Sequence, residues 1–164
     1  MKKSILVMAA MFVFGVATAV AQPRAVGANL GYGIGFSYQH GFGEKNMLDV
    51  AVDVPFFNGI GGIVTYDWID PFNTAVPWSN KGEWHWYMGV GGTAGMYGFY
   101  GNNGMGWYAG VAGHIGIEYD FWFPFQLSLD WRPNIGVTNW GYDTIGFNMG
   151  GLYSGISLGV RYKF

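Results

Sequence analysis

The last stretch of the chain, residues 151–164, alternates apolar side chains with glycine, serine and two cations. A period of two is the side-chain period of a β-strand, so the pattern predicts a strand with two different faces. The apolar face holds Leu152, Ile156, Leu158, Val160, Tyr162 and Phe164, and the other holds Gly151, Gly155, Ser157, Gly159, Arg161 and Lys163. An apolar face turned outward and a small, polar face turned inward are typical of a barrel in lipid.

The N-terminus has the features of a secretory signal peptide. Lys2 and Lys3 precede an apolar stretch at 5–16, and residues 19–21 (AVA) form a small-x-small cleavage site. We therefore predict a cleaved signal peptide over residues 1–21, and one exported domain over residues 22–164. An uncleaved membrane helix is the alternative, because residues 4–21 contain no charge.

The composition argues against a water-soluble domain. Charged residues make up 11% of the chain and aromatic residues 20%, whereas a soluble surface holds about 25–35% charged residues. No stretch after the signal is long and apolar enough for a membrane helix, so a closed barrel is the remaining spanning structure. Beyond residue 21, six Lys and Arg stand against ten Asp and Glu, a formal charge of −4. This balance predicts no nucleic-acid partner.

Eight alternating runs, separated by Gly, Asn or Pro, fill the rest of the chain. They cover residues 24–32, 34–40, 46–55, 59–69, 83–99, 106–121, 125–137 and 151–164. An even number of strands is typical of a single-chain outer-membrane barrel. A tilted strand of about ten residues also has the length needed to cross an apolar band about 25 Å tall. We therefore predict an all-β fold, an eight-stranded antiparallel up-and-down transmembrane β-barrel. Aromatic residues near the run ends are predicted interfacial girdles: Trp68, Trp84, Trp107, Phe121, Trp122, Phe125, Tyr162 and Phe164.

One predicted outer connection is long. With both ends of the barrel in the periplasm, the segment 138–150 is an outer loop. Its Trp140, Tyr142 and Phe147 are candidates for contact with an extracellular ligand, because exposed aromatic side chains on loops favour binding. The alternative is that these rings reach back to the membrane interface.

Three stretches resemble a known group of proteins: residues 31–40 (GYGIGFSYQH), residues 112–120 with 126–133 (AGHIGIEYD and QLSLDWRP), and residues 155–164 (GISLGVRYKF). They resemble small eight-stranded outer-membrane barrels of the OmpA and OmpX type, in particular the short barrel proteins of Bacteroidota. The resemblance implies that Tyr162 and Phe164 form the C-terminal signal read by the barrel-assembly machinery. It brings no catalytic pattern and no cofactor.

The predicted lumen contains many ionisable residues. An eight-stranded barrel is just wide enough to be filled by side chains. The inward faces are predicted to hold an ion-pair cluster near the periplasmic end, formed by Glu118, Asp130, Arg132, Arg161 and Lys163, and further polar residues, Asp49, Asp53, Asp67, His85 and His114. Unpaired buried charges cost several kcal/mol each. We therefore predict a salt-bridged plug in which Glu118 and Asp130 face Arg132 and Arg161.

Two sets of residues offer other chemistry. His85 or His114, with Ser128 or Ser157 and an aspartate, has the residue types of a hydrolase, but no Gly-x-Ser-x-Gly elbow is present. Asp49, Asp53 and Asp67 with a histidine have the donor types of a metal site, but not the spacing of a ligand motif. We predict no catalytic residue, no metal and no cofactor.

The sequence thus predicts an integral outer-membrane barrel, surrounded by outer-membrane lipids, with a structural or surface-interaction role and no open pore. Three alternatives stay open: an outer-membrane lipid-modifying enzyme of the hydrolase or acyltransferase type, a secreted lipocalin-like carrier, and a specialised channel.

Overall fold

The computed structural model of the protein describes residues 21–56, 59–71, 81–98, 105–139, 145–151 and 155–164. These residues form ten β-strands: β1 Ala21–Leu30, β2 Gly33–Phe42, β3 Asn46–Pro55, β4 Gly59–Pro71, β5 Gly82–Tyr97, β6 Gly106–Phe121, β7 Phe125–Trp131, β8 Asn134–Asn139, β9 Ile145–Gly150 and β10 Ile156–Lys163. The predicted signal peptide lies outside the described residues apart from Ala21. Within the described ranges, no helix is long and apolar enough to cross a membrane.

The strands form one closed antiparallel barrel. Strands β1 to β6 each pair with the next strand in the chain, and β10 returns to pair with β1. Both β7 and β8 pair with β6 in one continuous register, so together they cross the barrel wall once. We call each such full crossing of the wall, whether it is made by one strand or by two, a stave. In the same way β10 pairs with β7 and β9 pairs with β8, and these two form the last stave. The eight-stranded barrel predicted from the sequence is therefore confirmed as eight staves.

Two interruptions divide the last two staves. Pro133 separates β7 from β8, because proline has no N–H for the ladder, although its carbonyl still accepts from Gly113 N at 2.8 Å. On the neighbouring stave Trp131 pairs with Ile156, but Asn134 pairs with Gly150 instead of residue 153. The last stave thus contains three more residues between Gly150 and Ile156 than the neighbouring stave contains between Trp131 and Asn134. Residues 152–154 lie outside the described residues. The alternation predicted for 151–164 is observed from Ile156 onward.

The segment 138–150 is not the long loop that the sequence predicted. Strand β8 continues through Asn139 and β9 begins at Ile145, and the two form a hairpin in which Thr138 pairs with Gly146. Because the number of extra residues is odd, the inward and outward faces are exchanged between β9 and β10. Odd-numbered residues point outward in β9, whereas even-numbered residues point outward in β10. Phe147 belongs to β9, whereas Trp140 and Tyr142 lie outside the described residues.

The two surfaces of the barrel wall have opposite chemistry. Large apolar side chains of every stave are exposed on the outside, from 37% for Trp131 to 72% for Phe164. Inside, the described residues bury fourteen polar or charged side chains and seven apolar ones. The outward apolar and inward polar faces predicted from the sequence are confirmed. A lipocalin-like carrier requires the reverse arrangement.

Aromatic rings contact one another around the end of the barrel that holds the C-terminus. The ring centroids are separated by 4.9 Å for Trp84–Tyr119, 4.8 Å for Tyr119–Phe121, 4.9 Å for Phe121–Phe123, 5.7 Å for Phe123–Phe125, 5.9 Å for Phe125–Tyr162 and 5.7 Å for Tyr162–Phe164. We call these seven residues the aromatic belt. It joins four staves at one level of the barrel.

Candidate functional site

The charged side chains of the interior form two groups, because every second residue of each strand points inward. The first, which we call the central network, consists of Asp49, Thr65, Asp67, Tyr87, His114, Ser128, Asp130, Arg132 and Arg161. The second, the terminal cluster, lies at the end with the aromatic belt and consists of Arg24, His85, Glu118, Asp120 and Lys163. Together they draw on β1, β3, β4, β5, β6, β7 and β10.

His114 is fully buried in the central network and lies between two aspartates. Its Nδ1 is 3.0 Å from Oδ2 of Asp67, and its Nε2 is 3.2 Å from Oδ1 of Asp130. The hydroxyl of Thr65 donates to the same Asp67 oxygen at 3.1 Å. A protonated imidazole donates from both ring nitrogens. The geometry therefore suits an imidazolium held between two carboxylates.

Arg161 is fully buried and uses all three guanidinium nitrogens. Nε donates to the hydroxyl of Ser37 at 2.8 Å. Nη1 donates to Ser128 at 2.6 Å and to Gln126 at 3.2 Å, and Nη2 donates to Asn29 at 3.2 Å. These partners belong to β1, β2 and β7, so one side chain ties the last stave to three other strands. It thereby braces the seam where β10 closes against β1.

Two aspartates balance the buried arginines. Asp130 Oδ2 lies 3.5 Å from Arg161 Nη2, and the Tyr87 hydroxyl donates to Asp130 Oδ1. Asp49 lies 3.1 Å from Arg132 Nη2 and 3.7 Å from Arg161 Nη2. Each carboxylate meets several donors at once. This is what a buried charge requires if its desolvation is to be offset.

The terminal cluster depends on a bulge in β1. The register of β1 on β2 shifts between Pro23 and Ala25, which leaves Arg24 between two paired positions. A bulge redirects a side chain, and Arg24 points inward although it has the parity of outward-facing Val26. It forms an ion pair with Glu118 and donates to Gln39 Oε1 at 2.7 Å.

Asp120 joins the rest of the terminal cluster. It lies 3.3 Å from Lys163 Nζ and 3.9 Å from Arg24 Nη2. His85, Glu118 and Asp120 bring one ligand atom each within 4.8 Å of one another, the only such trio in the described part of the chain. Two cations already compensate these carboxylates, so the trio has the charge balance of an ion-pair cluster. The alternative metal set of Asp49, Asp53 and Asp67 is not brought together in this way.

The five residues predicted as one ion-pair cluster are divided by the structure. Asp130, Arg132 and Arg161 belong to the central network, whereas Glu118 and Lys163 belong to the terminal cluster. The predicted pairing of Asp130 with Arg161 is present. Glu118 differs from the prediction, because its arginine partner is Arg24, and Arg132 pairs with Asp49.

The other predicted lumen residues have different surroundings. Asp49, Asp67 and His114 are buried in the central network, and His85 lies in the terminal cluster. Asp53 is half-buried, is outside both groups as defined, and lines a cavity beside Arg132 of the central network. Sequence reasoning missed Arg24 because its parity predicts an outward side chain. Pro23 beside it was the available signal, since proline in a strand often marks a bulge or an edge.

The residues of the proposed hydrolase set are engaged elsewhere. Ser128 donates to Asp130 at 2.9 Å and accepts from Arg161, and both nitrogens of His114 face aspartates. No serine–histidine hydrogen bond occurs among the described residues. A nucleophile needs its base within hydrogen-bond reach. Ser128 and His114 therefore have the geometry of structural hydrogen-bonding residues and not that of a nucleophile and its base.

No family model, no curated protein and no solved structure matches the chain.

Proposed function

We propose that the protein is an integral outer-membrane β-barrel, of the small OmpA and OmpX kind, with a plugged lumen and a structural or surface-interaction role. One observation supports this most strongly. The outer surface exposes apolar side chains on every stave, whereas the interior holds the charges. A protein in water has the reverse preference, and a barrel in lipid has this one.

The size of the exposed apolar surface supports lipid as its solvent. Thirty-five large apolar side chains are exposed in the described residues. Each gains about 1.5–3 kcal/mol on full transfer out of water, so together they represent tens of kcal/mol. That exceeds the roughly 5–15 kcal/mol that stabilises a folded domain. In water this surface would drive association, and in a bilayer it is satisfied.

The aromatic belt supports one membrane boundary at the end with the termini. Tyrosine and tryptophan prefer the interface because they have an apolar ring and a polar atom. Beside the belt, Lys81 Nζ lies 5.8 Å from the centroid of the Trp122 ring. A cation next to an aromatic ring is common at this depth, where the ammonium group reaches headgroups and water. This end is the periplasmic end in our proposal.

The plugged lumen supports a role other than diffusive transport. Arg161, Tyr87, His114 and Glu118 are fully buried and cross-link opposite parts of the wall. A solute would have to break these ion pairs to pass. We therefore assign the functional surface to the outside of the barrel. The β8–β9 hairpin is our candidate for contact with an extracellular ligand, because Ile145, Phe147 and Met149 are 63%, 70% and 56% exposed.

The proposal predicts an outer-membrane location and a heat-dependent gel shift. The full chain is expressed in a bacterium with two membranes, the membranes are separated, and samples are run with and without boiling. We expect outer-membrane recovery and a band that moves after boiling. Leu158→Pro is the control, because Leu158 pairs with both Leu30 and Leu129 and proline removes a ladder donor; it should lose the shift. A water-soluble product without a shift contradicts the proposal.

The C-terminal residue should matter for assembly in cells more than for the folded state. Phe164 is 72% exposed and follows the last strand, and its N–H donates to Arg24 O at 3.2 Å. We expect Phe164→Ala to lower the folded barrel in the outer membrane several-fold, while the purified chain still refolds in detergent. Phe147→Ala is the matched control, since Phe147 is 70% exposed on β9. Equal folded amounts of the two variants in cells would argue against an assembly signal at Phe164.

A further inference from the structure

A cavity of about 150 Å³ with both polar and apolar lining lies at the end of the barrel opposite the aromatic belt. Its lining includes Asn29, Asp53, Tyr108, Arg132 and Ser157. Asn29 also accepts from Arg161, so the central network forms the floor of the cavity. Gly61 in the lining leaves room for Tyr108, because a Cβ at position 61 would meet the hydroxyl of Tyr108.

Three hydrogen-bond donors around this cavity have no partner among the residues that the structure describes. They are Nδ2 of Asn29, Nε of Arg132 and the hydroxyl of Ser157, and all three atoms are buried. Asn29 is only 2% exposed and Arg132 only 7%. A buried donor without an acceptor destabilises a fold. Three such donors around one cavity indicate that an acceptor-rich molecule belongs there.

The cavity also contains an acceptor. The carboxylate of Asp53 has no hydrogen bond or ion pair with the described part of the chain, and it is only half-buried. Asp53 and the three residues that carry these donors all line the same cavity. A molecule that satisfies them all must both accept and donate hydrogen bonds.

The charge balance narrows the class of this molecule. Arg132 is already paired with Asp49, and the nearby carboxylate of Asp53 adds further negative charge. An anion is therefore repelled, and a simple cation cannot accept from three donors. Hydroxyl groups both donate and accept and bring no charge. A cavity of ~150 Å³ holds a six-membered carbon ring, so a single sugar ring has a suitable size when its substituents extend through the open mouth.

We propose that this cavity binds a neutral sugar. Asn29, Arg132 and Ser157 donate to its hydroxyl oxygens, and Asp53 accepts from one of its hydroxyl groups. Tyr108, which also lines the cavity, offers a ring face to the C–H groups of the sugar. The binding site does not depend on the membrane location. In the orientation proposed above, the cavity opens toward the cell exterior.

The test is calorimetric titration of the purified folded barrel in lauryldimethylamine oxide, because sugar-based detergents would compete. The probes are glucose, galactose, mannose and N-acetylglucosamine, with acetate, glycine and an ammonium salt as comparison solutes. We expect at least one sugar to bind with a Kd of about 1 mM, as a few hydrogen bonds provide. The methyl glycoside of that sugar is then titrated. If it binds as well as the free sugar, the site accepts the end of a glycan, and if it does not bind, the site requires a free reducing sugar.

Substitutions locate the binding in the cavity. Asp53→Asn should weaken sugar binding at least about tenfold, because it removes a charged acceptor while it keeps the size of the side chain. Asp70→Asn makes the same chemical change on the outside, where Asp70 pairs with Lys45 at 3.6 Å, and should leave binding unchanged. If Asp53→Asn fails to give the folded gel band, sugar binding is measured with Ser157→Ala instead, which should also weaken it. The proposal is overturned if acetate, glycine or the ammonium salt binds in place of the sugars. It is also overturned if no probe binds to the folded barrel, which would leave a water-filled cavity, or if neither cavity variant changes sugar binding.

Discussion

Replacing Arg161 with methionine is expected to destabilise the barrel by about 3–5 kcal/mol. Methionine fills much of the same volume but removes the charge and every donated hydrogen bond. Asp130, 3.5 Å from Nη2, and Asp49, 3.7 Å from it, then lose a cation while both carboxylates stay buried. Removing one partner of a buried ion pair costs far more than removing an exposed one, because the remaining charge stays desolvated.

The measurement is urea unfolding in detergent micelles, followed by tryptophan fluorescence and by the gel shift. Lys45→Met is the matched control, since Lys45 is a cation with a 76% exposed side chain and a single ion pair with Asp70; it should change stability by less than about 1 kcal/mol. Adding Asp130→Asn to Arg161→Met should restore part of the loss, because it removes one uncompensated carboxylate. Equal effects of Arg161→Met and Lys45→Met would contradict the role of Arg161 as the brace of the seam.

The sequence predicted the fold well because one physical signal repeats along it. Each strand of this barrel has an apolar outer face and a polar inner face, so every stave shows a side-chain period of two. For β3 and β6 the run bounds predicted from that period, 46–55 and 106–121, equal the observed strands. The same period predicted the inward residues Asp49, His114 and Glu118.

The partners of these inward residues could not be predicted in the same way. Arg24 and Glu118 are far apart in the chain, and so are Arg161 and Ser37. Which pairs meet depends on strand tilt and stagger, which side-chain alternation does not encode. Local departures from regularity add to this limit. The bulge at Arg24 and the extra residues between Gly150 and Ile156 each change which face a side chain occupies, and an odd insertion reverses the faces of everything beyond it.

The second large effect is expected on the outer surface. Leu129 is 48% exposed and pairs with Ile117 and Leu158 on the neighbouring strands. It follows the belt residue Phe125 by four positions, about 13 Å along the strand, or roughly 10 Å of depth at a ~40° tilt. That places it near the middle of an apolar band about 25 Å tall. Leu129→Arg should therefore destabilise the barrel in phospholipid vesicles by about 2–4 kcal/mol.

Two variants separate charge and depth from loss of contacts. Leu129→Ala removes the side chain without adding a charge, and Phe125→Arg places the same cation in the aromatic belt, where arginine itself costs about 0–1 kcal/mol. Reversible urea unfolding in vesicles compares all three variants with the parent chain. We expect Leu129→Arg to be the most destabilised, because hydrocarbon cannot hydrate its guanidinium and a side chain at this depth reaches headgroups only by distorting the bilayer. If Leu129→Arg is no less stable than Leu129→Ala in vesicles, then hydrocarbon does not contact this face, and the proposed membrane location fails with it.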